Sequence, residues 1–417
     1  MGNKSSLWYK FTALILVLSL IIPVLAACGD NEEETATPAA TIKTTPTATA
    51  TPISKPTPAA TASSEPVKIG VVLAWSGPSA IYGALANQDI AVVDEYLKRI
   101  GGILGGRPVH WVKYDTGGQL AKAAAGYIKI DKEDNVVIMV GGGGSIAEFS
   151  ASAEAATKQN LPHVTLSGQP IDLTPYPYTV RAGSIQVKIK QEILSRFILD
   201  KLNSQKVAFL GDNQSEVRER VSLMRKTLEA AGVETVYEEY ADSGTSDFSP
   251  YLTRMKYKNP DLLLNFFGSP ASHMAIFKQI EGLGGWGNIK CLDTTGSGGS
   301  ADLAKMAGAQ GTYSHVLWAP GLDYPGAKQF EEIFMKMHGK LPSPFDVPIY
   351  LCLMTALNAI DQAGTTDREG IAKYMRSGKL EWDSPAGLFK IGTDGENNLT
   401  GIIGELRGGK IIPVALE

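Results

Sequence analysis

Short apolar runs and helix-periodic stretches alternate down this chain from Val67 onward, and that rhythm limits the fold more than any other feature. VKIGVVLAW is β-branched and ends in the turn Ser76-Gly77-Pro78. Tyr82 to Ile100 follows with Leu85, Ile90, Val93 and Leu97 on one helical face, and Gly101-Gly102 stops it. The pattern then repeats. Strands are expected at 107–114, 136–142, 163–166, 206–211, 233–240, 261–267 and 289–292. Helices are expected at 120–132, 145–159, 185–202, 215–231, 248–257 and 271–283. Strands of four to eight residues separated by longer helices build parallel βαβ units. Runs such as LLLNFF suit strands covered on both faces.

About 350 residues of this pattern exceed one comfortable core, so the expected fold is α/β with two Rossmann-like lobes. YTVRAGS at 178–184 breaks the alternation and is expected to cross between lobes, followed by 312–318 and a segment near 384–388. The expected division is 66–182 plus 316–386 for the N-terminal lobe, and 183–315 plus 387–417 for the C-terminal lobe. Three connections make a hinge with a cleft beside it. Ligands of open α/β sheets sit at the carboxyl ends of the strands.

The segment before this body has a different chemistry. Lys4 and Lys10 precede an uncharged run from Phe11 to Ile22, too short to span a bilayer comfortably, and then Leu25-Ala26-Ala27-Cys28. This is an export signal over 1–27, and its last four residues resemble the lipobox of bacterial lipoproteins. That resemblance implies cleavage before Cys28 and acylation of its thiol, which would tie the protein to the membrane through two or three acyl chains. Residues 28–65 are rich in Thr, Pro and Ala and cannot bury a core, so they read as a lipid-attached tether.

Several functions are excluded early. The 39 basic and 43 acidic residues give a net charge of −4, which is no footprint for nucleic acid. Three cysteines do not make a disulfide scaffold. Cys291 and Cys352 fall in different lobes and are expected to be small buried hydrophobes. The five histidines show no metal-ligand spacing, and no nucleophile–base set or phosphate-binding lysine motif occurs. No cofactor is expected, and no enzyme. Gly141 to Gly144 followed by Ser145 lacks the last glycine of a dinucleotide fingerprint, because Ile146 stands there. A glycine run opening a helix instead aims backbone N–H groups at an anion, with Ser145 as N-cap. The loop at Ser167-Gly168-Gln169, one strand later, supplies a second polar edge. Together they read as a clamp for a carboxylate.

The opening IGVVLAWSGPSAIYGALANQDIAVVDEYLKRIGGILGGRPVHWVKYDTGG carries the SGP turn, Tyr82-Gly83, a GGI-x-GG turn and a K-Y-D strand end. With these the chain resembles type I periplasmic binding proteins of the leucine/isoleucine/valine-binding family, from about Val67 to its end. The resemblance implies that Ser145, with Gly144, binds the ligand carboxylate. It implies contacts from Ser167 and Gln169, and a covering ring from Tyr82 with Trp75 close by. In the second lobe the pattern departs. The family's tyrosine after the first strand falls near Glu216, its ammonium-pairing acid near Asp293-Thr294-Thr295, and its next ring among Phe267, Gly268 and Ser269. An α-ammonium in a closed cleft needs a carboxylate partner, so if neither Asp293 nor Glu216 reaches it, the ligand is not an amino acid. The resemblance implies delivery of a small carboxylate-bearing solute to an ABC permease. The alternative is a sensor subunit for a membrane signalling partner.

Overall fold

In the computed structural model, residues 65–77, 79–143, 145–242, 244–300 and 302–414 are described. Cys28, the export signal, most of the tether and Gly144 lie outside them.

The first sheet is built from β1 (Val67–Leu73), β2 (Val109–Asp115), β3 (Ile138–Gly141), β4 (His163–Thr165) and β5 (Thr179–Arg181). Its order is β2-β1-β3-β4-β5, and every pair is parallel. Between them run α1 (Ala80–Ile100), α2 (Leu120–Asp134) and α3 (Ile146–Lys158). The central β3 is buried along its whole length, as a strand covered on both faces must be.

Chain then passes to a second sheet. α4 (Val187–Arg196) continues into a π-turn to Lys201. β6 (Lys206–Asp212), α5 (Ser215–Ala230), β7 (Glu234–Ala241), α6 (Ser249–Tyr257), β8 (Leu262–Phe266), α7 (Pro270–Gly282), β9 (Lys290–Asp293) and β10 (Tyr313–Val316) follow. α8 (Pro325–His338), α9 (Asp346–Ala363) and α10 (Arg368–Met375) return to the first core. β11 (Glu381–Ser384), β12 (Gly387–Lys390), β13 (Ile402–Arg407) and β14 (Lys410–Val414) complete the chain. The second sheet is ordered β14-β13-β10-β9-β8-β6-β7, with β13 and β14 antiparallel at one edge. α9 is buried on almost every side because it packs against α1, α10 and the first sheet. Its apolar run IYLCLMTAL therefore lacks a polar face.

The first connection follows β5 and the second follows β10. β5 closes the first sheet, and Ala182 and Ile185 stay in the first core before α4 enters the second. β10 pairs with β9, and Leu317 and Trp318 pass back into the first core. The third connection is corrected. Residues 384–388 turn back on themselves: β11 and β12 pair antiparallel, and the Ser384 hydroxyl donates to the Gly387 carbonyl at 2.7 Å. Phe389, Ile391 and Leu399 bury in the first core rather than the second. The last connection thus follows Leu399, and the 387–417 segment does not all belong to the C-terminal lobe. The short apolar run GLFKI looks the same in sequence whether it crosses or folds back. Cys291 and Cys352 are free and buried, and burial raises both thiols above their usual range.

Candidate functional site

The carboxyl ends of β3 and β4 form the first-lobe wall. Gly142 has φ +67, and a Cβ there would sit 3.0 Å from the Ser152 side chain, so the turn requires glycine. Its carbonyl accepts from the Thr165 hydroxyl at 2.6 Å. The Gly141 carbonyl lies 3.2 Å from His163 Nε2, which also meets the Tyr127 hydroxyl at 2.8 Å, while Nδ1 meets Thr179. Burial lowers the His163 pKa to about 4, so this buried imidazole is neutral and acts as a brace.

Ser145 is the N-cap of α3. Its extended backbone lets Oγ accept from the Glu148 N–H at 3.2 Å. That bond uses an oxygen lone pair and leaves the hydroxyl proton available to donate. The side chain is half-buried at a helix N-terminus, where the dipole favours an anion. Tyr82 is 41% exposed, and its hydroxyl is raised from its usual range, by burial first and by the Glu148 carboxylate second. Glu148 was not singled out by sequence, since a first-turn acid is common.

The other first-lobe candidates are placed differently. The Trp75 indole donates to the Tyr114 carbonyl at 3.0 Å, and the Lys113 ammonium sits 4.9 Å over its ring. That ring is turned toward β2 rather than toward Ser145. Its backbone N–H donates to Asp115, which also takes Ser76 and Gly117 and whose pKa falls to about 2, chiefly through the Ser76 hydroxyl. Ser167 is fully buried, and its hydroxyl accepts from the Gln169 N–H at 3.3 Å. The Gln169 side chain faces a cavity of about 670 Å³ bounded by Arg181, Glu396 and α4.

In the second lobe Asp293 is 2% exposed and fully engaged. Its carboxylate accepts from Thr295 N (2.8 Å), Thr295 Oγ1 (2.7 Å), Gly298 N (2.8 Å) and Ser314 Oγ (2.6 Å), with His273 Nε2 at 3.5 Å. Thr294 is buried and donates its hydroxyl to the Asn265 carbonyl. Phe267 is buried against Phe248 and forms no lid. Glu216 is half-buried in the first turn of α5 and accepts from the Ser215 hydroxyl at 2.9 Å. Asp212 accepts from Gly268 N, and burial raises its carboxyl.

Between the lobes lies a second cavity of about 100 Å³. Ser184 from the first connection, His315 from the second, Lys190 and Thr295 from the second lobe, and Phe345 from the first bound it. Sequence reasoning missed both Lys190 and His315. One is a lysine on an amphipathic helix and the other a strand histidine. Neither has a local pattern that marks a cleft. Among the described residues, no group of His, Cys, Asp or Glu could hold a metal ion, and no helix is long and apolar enough to cross a membrane.

Two packed sheets, hinge connections and polar loops at strand ends define a solute-binding architecture rather than a reaction centre. Residues 66–410 match the periplasmic binding protein family, and the chain belongs to that family. It is 23% identical over 344 residues to a leucine-, isoleucine-, valine-, threonine- and alanine-binding protein of Pseudomonas aeruginosa, covering 81% of this chain and 88% of that one. A branched-chain amino acid transporter substrate-binding protein of Streptococcus pneumoniae, in complex with isoleucine, superposes with a TM-score of 0.71 at 22% identity. That match covers 84% of this chain and 99% of the other. A solute-binding protein of an ABC transporter from Rhodopseudomonas palustris, in complex with 3,4-dihydroxybenzoic acid, gives 0.73 at 21% identity, covering 84% and 96%. The two structural neighbours are solute-binding proteins of transporters, and the family is one of periplasmic binding proteins, which places it outside the cytoplasm.

Proposed function

We propose that this chain is a lipid-anchored solute-binding protein. It captures a small carboxylate-bearing ligand between its lobes and presents it to an ABC permease. Ser145 is the observation that carries the reading. A half-buried hydroxyl, whose cap bond leaves its proton uncommitted, stands at the amino end of a thirteen-residue helix after a loop braced by His163 and Thr165. The isoleucine and dihydroxybenzoate held by the two structural neighbours share a carboxylate and little else. Tyr82 is the first-lobe ring placed to cover such a ligand. Ligand contact with both lobes is what drives closure, because a ligand touching one lobe equally in both states shifts nothing. Anchoring rests on Leu25-Ala26-Ala27-Cys28 and the tether behind it.

Two experiments test this. A thermal-shift screen of carboxylates and their amides should stabilise the protein only with the acids, by about 2.7 kcal/mol at a hundredfold excess over Kd. Ser145→Ala should weaken binding of each acid about tenfold to a hundredfold, the worth of a hydrogen bond to a charged group. Amides binding as well as acids, or unchanged affinity in Ser145→Ala, would contradict the site. Labelled fatty acid should enter the wild-type protein in cells and be absent from Cys28→Ser.

A further inference from the structure

The interlobe cavity has an unbalanced charge. Lys190 bounds it, and among the described residues its ammonium has no hydrogen bond or ion pair. Its neighbours in the field are Arg220, a second cation, and Asp293. Asp293 already accepts four hydrogen bonds and is spent on its own loop. Arg220 donates Nε to the Glu216 carbonyl and has no carboxylate within ion-pair distance among the described residues. Burial and Arg220 lower the Lys190 pKa to about 8, with Asp293 acting the other way, so the amine stays largely charged at neutral pH. A half-buried cation without a hydrogen-bonded counter-charge marks a place where a ligand can supply one.

A second, independent feature lies on the same cavity. His315 is 1% exposed, and its Nε2 lies 2.9 Å from the Thr400 carbonyl. Donation to that carbonyl puts the proton on Nε2 and leaves Nδ1 as a bare acceptor. Nδ1 is buried and has no partner among the described residues. Burial and the Lys190 charge lower its pKa to about 3, so it does not become a second cation here. The cavity thus offers one strong donor, and its lining includes a histidine whose buried Nδ1 has no partner among the described residues.

We infer that the second-lobe wall takes an anionic group, with Lys190 Nζ as its counter-charge, so that the ligand is a small dicarboxylate carrying no α-ammonium. The inference rests on the reading that the Ser145 loop takes the first carboxylate. An α-ammonium would approach two cations, and the acids nearest them, Glu216 and Asp212, stand beside Arg220 and offset that charge rather than the charge of Lys190. A second carboxylate neutralises Lys190. Both lobes then hold one charge each, which is the arrangement that favours closure.

Calorimetric titration of the whole chain in detergent tests this, with succinate, malate, glutarate, butyrate, benzoate and leucine as probes. Dicarboxylates should bind at least tenfold more tightly than butyrate, and leucine should not compete. Lys190→Met should erase the dicarboxylate preference, and Lys190→Arg should restore most of it. Circular dichroism and melting of each unliganded variant establish that it is folded. Leucine or butyrate binding as tightly as the dicarboxylates, or a preference that survives in Lys190→Met, overturns the inference. If benzoate binds, is lost in Ser145→Ala and is indifferent to Lys190, only the inference falls. If no acid binds the wild-type chain, the proposed function falls with it.

Discussion

Single residues in this molecule show how much of a site depends on what surrounds a side chain. Asp89 in α1 is 0% exposed, and neither carboxylate oxygen has a hydrogen-bond partner among the described residues. Burial and the facing Asp346 of α9 raise its pKa well above the usual range, and the nearby Tyr350 backbone opposes them without making a hydrogen bond to it. The native state therefore holds a proton that the unfolded chain releases near pH 4. Stability from this group is intact below that value and is lost as pH rises toward the native pKa. Asp89→Asn should match the wild type at pH 4 and exceed it by about 1–3 kcal/mol at pH 9, the cost of a buried unpaired polar group. Denaturant melts across that range decide it, and parallel profiles would rule it out. Tyr350, Tyr96 and Cys352 also line this contact, but burial keeps them neutral across the range. The same dependence on surroundings explains which candidate residues sequence could point to. Ser145 and Tyr82 carry their signal locally, in a glycine run and a turn. Asp293 looked available in sequence because Gly298 and Ser314, which occupy it, are neighbours only in the fold. Lys190 is marked by a missing counter-ion, and an absence in space leaves no trace in the chain.

At the scale of elements, the strands and helices were legible wherever periodicity ran for a full turn or strand. The parallel order followed from alternation alone. What failed was the meaning of a short strand: GLFKI folds back as a hairpin, and nothing within five residues separates that from a crossing. The loop after β4 shows a further limit. Arg181, at the end of β5, is 2% exposed and donates to the carbonyls of Ser167, Gln169 and Ile171, and its Nε pairs with Glu396 at 2.8 Å. A loop with no regular structure is thus held by one guanidinium, whose forked donors reach several carbonyls at once. Arg181→Met should cost about 3–5 kcal/mol, since Glu396 loses its partner along with three carbonyls. Arg181→Lys should recover only part of that, because one ammonium cannot span the same set. Equilibrium unfolding of both variants measures it, and equal stability of lysine and arginine forms would contradict the role.

Over the whole molecule the three connections behave as one joint because they are bonded to each other. Asn397 Nδ2 donates to the carbonyls of Arg181 (3.1 Å) and Ser184 (2.8 Å), tying the third connection to the first. His315 meets Thr400 and ties the second to the third. Ser184 Oγ donates to the Ser167 carbonyl and carries the joint into the loop after β4. Gly401 sits where all three converge, at φ +67. A Cβ there would lie 2.5 Å from Ile185 Cδ1 and 2.7 Å from the Val316 carbonyl. Neither neighbour can yield cheaply, since one is packed core and the other is backbone. The left-handed backbone alone disfavours alanine by about 1–2 kcal/mol, and the overlap adds to it by pushing the first and second connections apart. Gly401→Ala should therefore lower Tm and also change how far ligand closes the lobes. Small-angle scattering with and without saturating ligand separates these effects. The wild-type radius of gyration should contract on binding, and the variant should contract less at full occupancy. A variant that melts early but contracts fully would show Gly401 to be a stability residue only, with the joint hinging elsewhere.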